Sequence, residues 1–410
     1  MPAEHATGAP AFRSSLLLLL VVVFINIAGF SLILPLLPFY GNALNASPVE
    51  ITTLFAVYSL GNIFGEIYWG RMSDRVGRKR VLTVAVGCAA LSYVAFAFAP
   101  NLILALLVRT TTGFFSGTLG VCQSYIADIT EPEHRARNIG YFGAAFNSGF
   151  ALGPAIGGLL ARPELGLPGF RLPILTAAAL AGAASLWAAF MLKESRPKGE
   201  ARPLPNWSRA LHFVGTHGLI LRMFVIAFIG IAAFSSMEAV FGLWTEHNFG
   251  WSAHEVGLTF IAVGGAGAFV QIFLIGPLTR RFGEARVIVG GLTVLALSML
   301  LQPVLRNPIA AVVLMSTLMA GHSLAFPNAG ALVSRSTDPH EQGSVNGLLM
   351  ACNALARIIA PPVYGFVYSA LGPDAPYYLC TLMIGGAAIV GLQAVRVRDA
   401  ELRIQEEKIA

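Results

Sequence analysis

Apolar residues run along this chain in long blocks, each parted from the next by a few polar positions. A helix rising 1.5 Å per residue needs about 20 mostly apolar residues to cross a bilayer. Twelve blocks qualify: 14–39, 49–70, 80–99, 102–127, 136–161, 171–193, 219–245, 253–277, 286–305, 308–333, 343–369 and 376–396. Inside lipid each segment must satisfy its own backbone groups, so all twelve are read as helices. The polar, proline-containing stretch KESRPKGEARPLPNWSRALHF divides them six and six. The expected architecture is an all-α integral membrane protein of two six-helix bundles, 1–193 and 219–410. A cytoplasmic linker over 194–218 joins them, and a short cytoplasmic tail follows the last helix. The first block, one base followed by LLLLLVVVF, imitates a signal peptide. It continues to about Tyr40, too far for a signal h-region, and is read as a retained span.

Composition agrees with the pattern. Hydrophobic residues are 56% and charged residues 12% of the 410, with mean hydropathy +0.69, whereas soluble domains carry about 25% charge. The net charge of +6 does not point to nucleic acid, because the bases lie in short turns between apolar blocks. With both termini cytoplasmic, 22 of the 27 bases fall on the cytoplasmic side, which fixes orientation by the positive-inside rule. Cys88, Cys122, Cys352 and Cys380 are scattered without ligand spacing and read as packing thiols. No cofactor or metal site is expected, and no G-x-x-x-x-G-K-[ST] loop supports ATP-driven work.

The two halves repeat each other. At a shift of 206, GRMSDRVGRKR (70–80) falls on GPLTRRFGEAR (276–286), matching Gly70, Arg75, Gly77 and Arg80. TEPEHRA falls on TDPHEQG at a shift of 207, and Pro154 falls on Pro361. Half-length repeats mark transporters whose substrate site lies near the membrane midplane between pseudo-symmetric bundles.

Four motifs stand at matching topological places. Residues 70–82 carry G-x-L-a-D-r-x-G-r-k-x-x-l with Met72 for the leucine. Arg109 leads an R-x-x-x-G pattern with Gly113 and Gly117. YIADITEPEHRAR spans 125–137, including Asp128 and Arg135. GFALGPAIGG (149–158) carries Gly149, Gly153, Pro154, Gly157 and Gly158. In these motifs the chain resembles the major facilitator superfamily, and its drug:proton antiporter, tetracycline-efflux-like branch, over essentially its whole length. The resemblance implies that Gly70, Asp74, Arg75, Gly77, Arg78, Asp128 and Arg135 form a gate. In that gate Asp74 latches onto the opposite half near the start of the eleventh helix, and Arg78 pairs with Asp128. It implies that the 149–158 glycines control leakage, with helix packing as the plainer alternative. One departure matters: where that branch has a first-span acid, this chain has Asn26, which cannot carry a proton.

Titratable groups inside spans are costly and become functional candidates. Glu238 lies near the middle of the seventh span; desolvation disfavours its charge, and it is the first candidate for proton coupling. Glu66 and Arg109 are the others, with a gate or interface role open for Glu66 and a hydrogen-bond hub open for Arg109. A substrate cavity is expected from Asn26, Phe146, Asn147, Phe234, Glu238, His322, Asn353 and Arg357; for His322 simple packing is the alternative.

The function expected is a secondary active transporter, not an enzyme, exporting small amphipathic or lipophilic compounds by alternating access coupled to protons. Its partners are a small molecule, protons and the bilayer, and it is expected to be a monomer. A carrier of a sugar, amino acid or siderophore is the alternative that Asn26 keeps open, and a non-transporting sensor stands third. Short loops and abundant Ala and Gly suggest a bacterial inner membrane.

Overall fold

A computed structural model describes residues 9–195, 207–338 and 341–409. The expected Pro339 match and the linker positions 196–206 lie outside them. Each apolar block folds as a helix, and twelve helical stretches of membrane-crossing length follow in order among the described residues. Ten are long and apolar enough to cross a bilayer. The other two are Pro48–Val76 and Pro132–Leu160. They are the second and fifth spans, whose Asn, Ser, Gly and charged residues dilute the hydropathy and carry the motifs.

The remaining differences from the expected elements have local causes. The first span runs Ala9–Leu32, tightens into a 3-10 turn at Leu34–Leu36, and continues as Leu37–Ala43. Pro35 and Pro38 lack the N–H that an unbroken helix needs there. The fourth is split into Leu102–Ser116 and Leu119–Ile129 at Gly117. The eighth holds a π turn at Val270–Leu274, a form found as single turns within α-helices. The linker is not wholly irregular: Trp207–Thr216 is a short helix.

Two units emerge by contact. Unit 1 comprises Met1–Ser47, Thr53–Pro203 and Trp251–Ile261, and unit 2 comprises Pro48–Thr52, Leu204–Gly250 and Ala262–Ala410. In unit 1 the first span packs on the fifth and sixth, and the third on the sixth, where Ser185 donates to the Thr83 carbonyl at 2.7 Å. In unit 2 the seventh span is buried along most of its length. Ile231 and Ala232 there pack on Ala356 and Ala360 of the eleventh. Trp244, fully buried, donates from Nε1 to Asp374 at 2.7 Å, and Arg306 holds the other Asp374 oxygen at 2.5 Å. Large apolar side chains such as Phe190, Ile309 and Leu382 stand about three-quarters exposed, the surface that lipid covers in a membrane protein.

Candidate functional site

The charged turn expected between the second and third spans is almost entirely helical. Pro48–Val76 and Arg78–Ala97 meet at Gly77 alone. Its backbone has φ +104°, ψ 151°, which favours glycine. A Cβ there would also stand 2.2 Å from Glu194 Oε2 and displace that carboxylate. Glu194 comes from just past the sixth span. Its Oε1 accepts from the Arg78 backbone N–H at 2.7 Å and, more weakly, from Lys79 at 3.4 Å. The carboxylate thus caps the third span where the helix dipole favours negative charge.

Arg78, 2% exposed, turns its guanidinium inward. It lies 2.7 Å from Asp74 and 3.2 Å from Asp128, and also donates to Ser73 Oγ. Ser195 Oγ donates to Asp128 at 3.4 Å. Among the expected gate residues, the structure brings together Asp74, Gly77, Arg78 and Asp128. Arg75 is exposed and Gly70 half-buried, while Arg135 donates to the Ala127 carbonyl at 3.2 Å. Glu194 was missed because the linker was read as polar spacer. Its nearness to the end of a span, as an acid facing five bases, was the available signal.

The second copy repeats this geometry with the charges exchanged. Gly283, matched to Gly77, has φ +81° and joins two helices in the same way. Glu284 stands where Arg78 does, and Arg335 stands where Asp128 does at the 207 shift; the two pair at 2.9 Å. Gln342, matched to Arg135, donates to the Ser334 carbonyl at 2.8 Å, and Ser334 is the match of Ala127. A search by identical letters passes over this correspondence because the residue types differ.

The glycines of the fourth and fifth spans serve close backbone approach. A Cβ at Gly113 would lie 2.0 Å from the Tyr58 carbonyl, and at Gly61 1.9 Å from that of Thr110. Gly65 and Gly117 complete the same crossing of the second and fourth spans. In the 149–158 motif, Gly149, Gly153 and Gly157 press on Phe24, Ala28, Ser31 and Leu32 of the first span, and Ser31 Oγ donates to the Gly149 carbonyl at 3.1 Å. Gly158 faces Ala253 and Gly257 within unit 1. Pro154 lies inside the unbroken helix Pro132–Leu160.

Arg109 is 1% exposed on this crossing. Its Nε donates to the Leu54 carbonyl at 3.4 Å. Its guanidinium lies 4.6 Å from the Tyr58 ring centre and 5.8 Å from that of Phe96, cation–π distances. Tyr58 stacks in turn on Phe30 at 4.8 Å. Asn26, Phe146 and Asn147 are half-buried in unit 1, where Phe146 stacks on Phe150 at 6.2 Å. Glu66 is exposed.

Unit 2 holds the other expected cavity residues. Glu238 is 7% exposed, beside buried Ser235 and Ser236. Phe234 packs on His322 at 4.5 Å between ring centres, and His322 on Phe326 at 4.4 Å. Asn353 and Arg357 lie half-buried on the eleventh span. Phe241 and Trp244, on the same helix as Glu238, are fully buried in the packing of the unit. The four cysteines are free thiols. No His, Cys, Asp and Glu group suited to a metal ion occurs among the described residues.

Comparison with known proteins gives one consistent result. The family model described as Major Facilitator Superfamily matches residues 19–246 and again 223–409, which together span nearly the whole chain. The class C tetracycline resistance protein of Escherichia coli is 31% identical over 87% of this chain and 90% of its own length. Multidrug resistance protein 2 of Bacillus subtilis (strain 168) is 25% identical over 93% and 94%. Among solved structures, a bacterial homologue of the human lysosomal transporter Spinster superposes with TM-score 0.79 at 16% identity, covering 95% of this chain and 98% of that one. The human organic anion transporter MFSD10 gives 0.68 at 20%, covering 93% and 100%. The motifs, the duplicated halves and both family-model matches converge: this chain is a multi-pass membrane transporter belonging to the major facilitator superfamily, in the branch of the tetracycline and multidrug resistance proteins.

Proposed function

We propose that this transporter exports small amphipathic or lipophilic compounds in exchange for protons, across a bacterial inner membrane with both termini in the cytoplasm. The observation that carries the reading is Glu238. It is a carboxyl 7% exposed, about two-thirds of the way along the 32-residue helix Gly218–Phe249, in a chain related to resistance proteins. An acid at that depth is costly to leave ionised, so it can hold a proton when no cationic substrate is present and release it when one arrives. Protonation of Glu238 would favour the substrate-free return, and the two ligands compete for one carboxylate. An inward proton gradient supplies the work, about 2.3 kcal/mol for each charge moved through 100 mV.

Arg109 then supports the fourth span as a fixed cation held by rings and a carbonyl, while the Asp74–Arg78–Asp128 group serves the gate. Asn26 favours one alternative, a metabolite carrier, because the usual first-span acid is absent. The test is drug-stimulated proton release from purified protein. Glu238→Gln is expected to abolish it while retaining binding of neutral compounds; unchanged coupling in that variant would sink the assignment. A parallel screen for radiolabelled sugar or amino-acid uptake separates the alternative.

A further inference from the structure

The charged end of the second span carries a feature that the buried ion pairs do not use. Phe64, Ile67, Tyr68, Arg71, Met72 and Arg75 recur at spacings of three and four, so they share one side of the helix Pro48–Val76. A cavity of about 350 Å³ opens on that side, lined by Ile67, Tyr68, Arg71, Met72 and Arg75. All of them belong to unit 1. The lining is apolar toward the middle of the span and basic toward its end. Phe64, Ile67 and Tyr68 each stand roughly half exposed, as part of the apolar surface that lipid covers.

The apolar wall is held in place from behind. Tyr68 packs edge-on against Trp69 at 4.9 Å and against Phe114 of the fourth span at 5.4 Å. Trp69 is buried and donates from Nε1 to the Phe114 carbonyl at 2.9 Å. Gly65 lets the two helices approach there, since a Cβ would lie 2.0 Å from the same carbonyl. The two guanidiniums, by contrast, are uncommitted. Arg71 and Arg75 are exposed, and among the described residues neither makes an ion pair, a hydrogen bond or a ring contact. The nearest acids in sequence do not face them: Asp74 is turned onto Arg78 at 2.7 Å, and Glu66 lies round the opposite side of the helix. At the 206 shift Arg75 falls on Arg281 but Arg71 falls on Pro277, so the paired bases belong to the first copy alone.

Two arginines one turn apart, with about 6 Å between their Cβ atoms, present planar forks that match phosphate oxygens. A free phosphate would use the bases and leave the apolar part of the cavity in water. A phospholipid uses both parts, with its phosphate at Arg71 and Arg75 and an acyl chain along Tyr68, Ile67 and Phe64. A zwitterionic headgroup would bring its own cation to a place that already holds two. We infer that this cavity binds an anionic phospholipid such as phosphatidylglycerol, at the end of the second span beside Asp74 and Arg78. The inference needs the membrane-spanning fold and not the export reading.

The test equilibrates the purified full chain in detergent with equal amounts of phosphatidylglycerol and phosphatidylcholine of identical acyl chains. Retained lipid is counted by native mass spectrometry. Wild type is expected to retain phosphatidylglycerol in preference. Arg71→Gln and Arg75→Gln are each expected to lower its retention about fivefold, the contribution of one base beside anionic lipid. Both should leave phosphatidylcholine within about twofold, and Arg75→Lys, which keeps the charge, should recover most of the loss. Arg80→Gln removes another exposed base that does not line the cavity, and is expected to change neither lipid. Equal retention of the two lipids by wild type would overturn the inference. So would an equal loss in Arg80→Gln, because total charge and not the cavity would then attract the lipid. Excess inorganic phosphate is expected to leave phosphatidylglycerol in place; displacement by it would assign the two bases to a soluble anion and overturn the lipid site.

Discussion

Glu194 shows how much one side chain can organise. It caps the third span through the Arg78 and Lys79 backbone, fills the space over Gly77, and comes from a segment far away in sequence. N-cap acceptors are worth about 0.5–2 kcal/mol. Glu194→Ala is therefore expected to lower thermal stability in detergent by about 1 kcal/mol and to slow transport, while Glu194→Asp recovers part of both; an unchanged melting curve would remove its role. Arg78 is the more critical neighbour. It is nearly fully buried against two acids, and removing one partner of a buried pair costs about 3–5 kcal/mol. Asp128→Ala is thus expected to be more damaging than Glu194→Ala in the same melting experiment. Asp74→Asn, which keeps the shape, is expected to insert normally and transport poorly, and wild-type flux from it would end the latch reading.

Among the helices, glycine spacing decides which backbones touch. Gly113 and Gly61 allow the second and fourth spans to meet at carbonyl distance, and Gly153 does the same for the first and fifth. Overpacking costs about 1–3 kcal/mol. Gly113→Ala and Gly153→Ala are expected to melt earlier by at least that much, whereas Gly120→Ala, with nothing within 4 Å of its added carbon, should melt with wild type. The exchanged ion pairs give a second test. Glu284→Arg and Arg335→Glu should each reduce stability, and the two together should regain most of the loss; simply additive losses would mean that the pair is incidental. These features differ in how legible they were. Span positions follow from block length alone, and the glycine faces from a spacing of four. Glu194 needed knowledge of where the chain returns after the sixth span. The Glu284–Arg335 pair was hidden because a repeat conserves geometry while the charges trade places. A helix buried all round, as the seventh span is, presents aromatics on every side, so no single cavity face can be assigned to it from sequence.

At the scale of the whole molecule, the duplicated halves and the resistance-protein relatives identify a transporter, and the chemistry divides between the units. Unit 1 holds Arg109 and the Arg78 ion-pair group; unit 2 holds Glu238 and the ring group of Phe234, His322 and Phe326. With Asn26 in place of a first-span acid, the proposed proton coupling is assigned to the second unit. The most direct measurement is flux in proteoliposomes containing only this protein, loaded with ethidium and given an imposed pH gradient of either sign. Proton-coupled export requires ethidium to move against its own gradient when protons run the opposite way. It also requires the movement to reverse when the pH gradient is reversed and to vanish in Glu238→Gln. Ethidium that moves only down its own gradient, at a rate indifferent to pH and to Glu238→Gln, would contradict it.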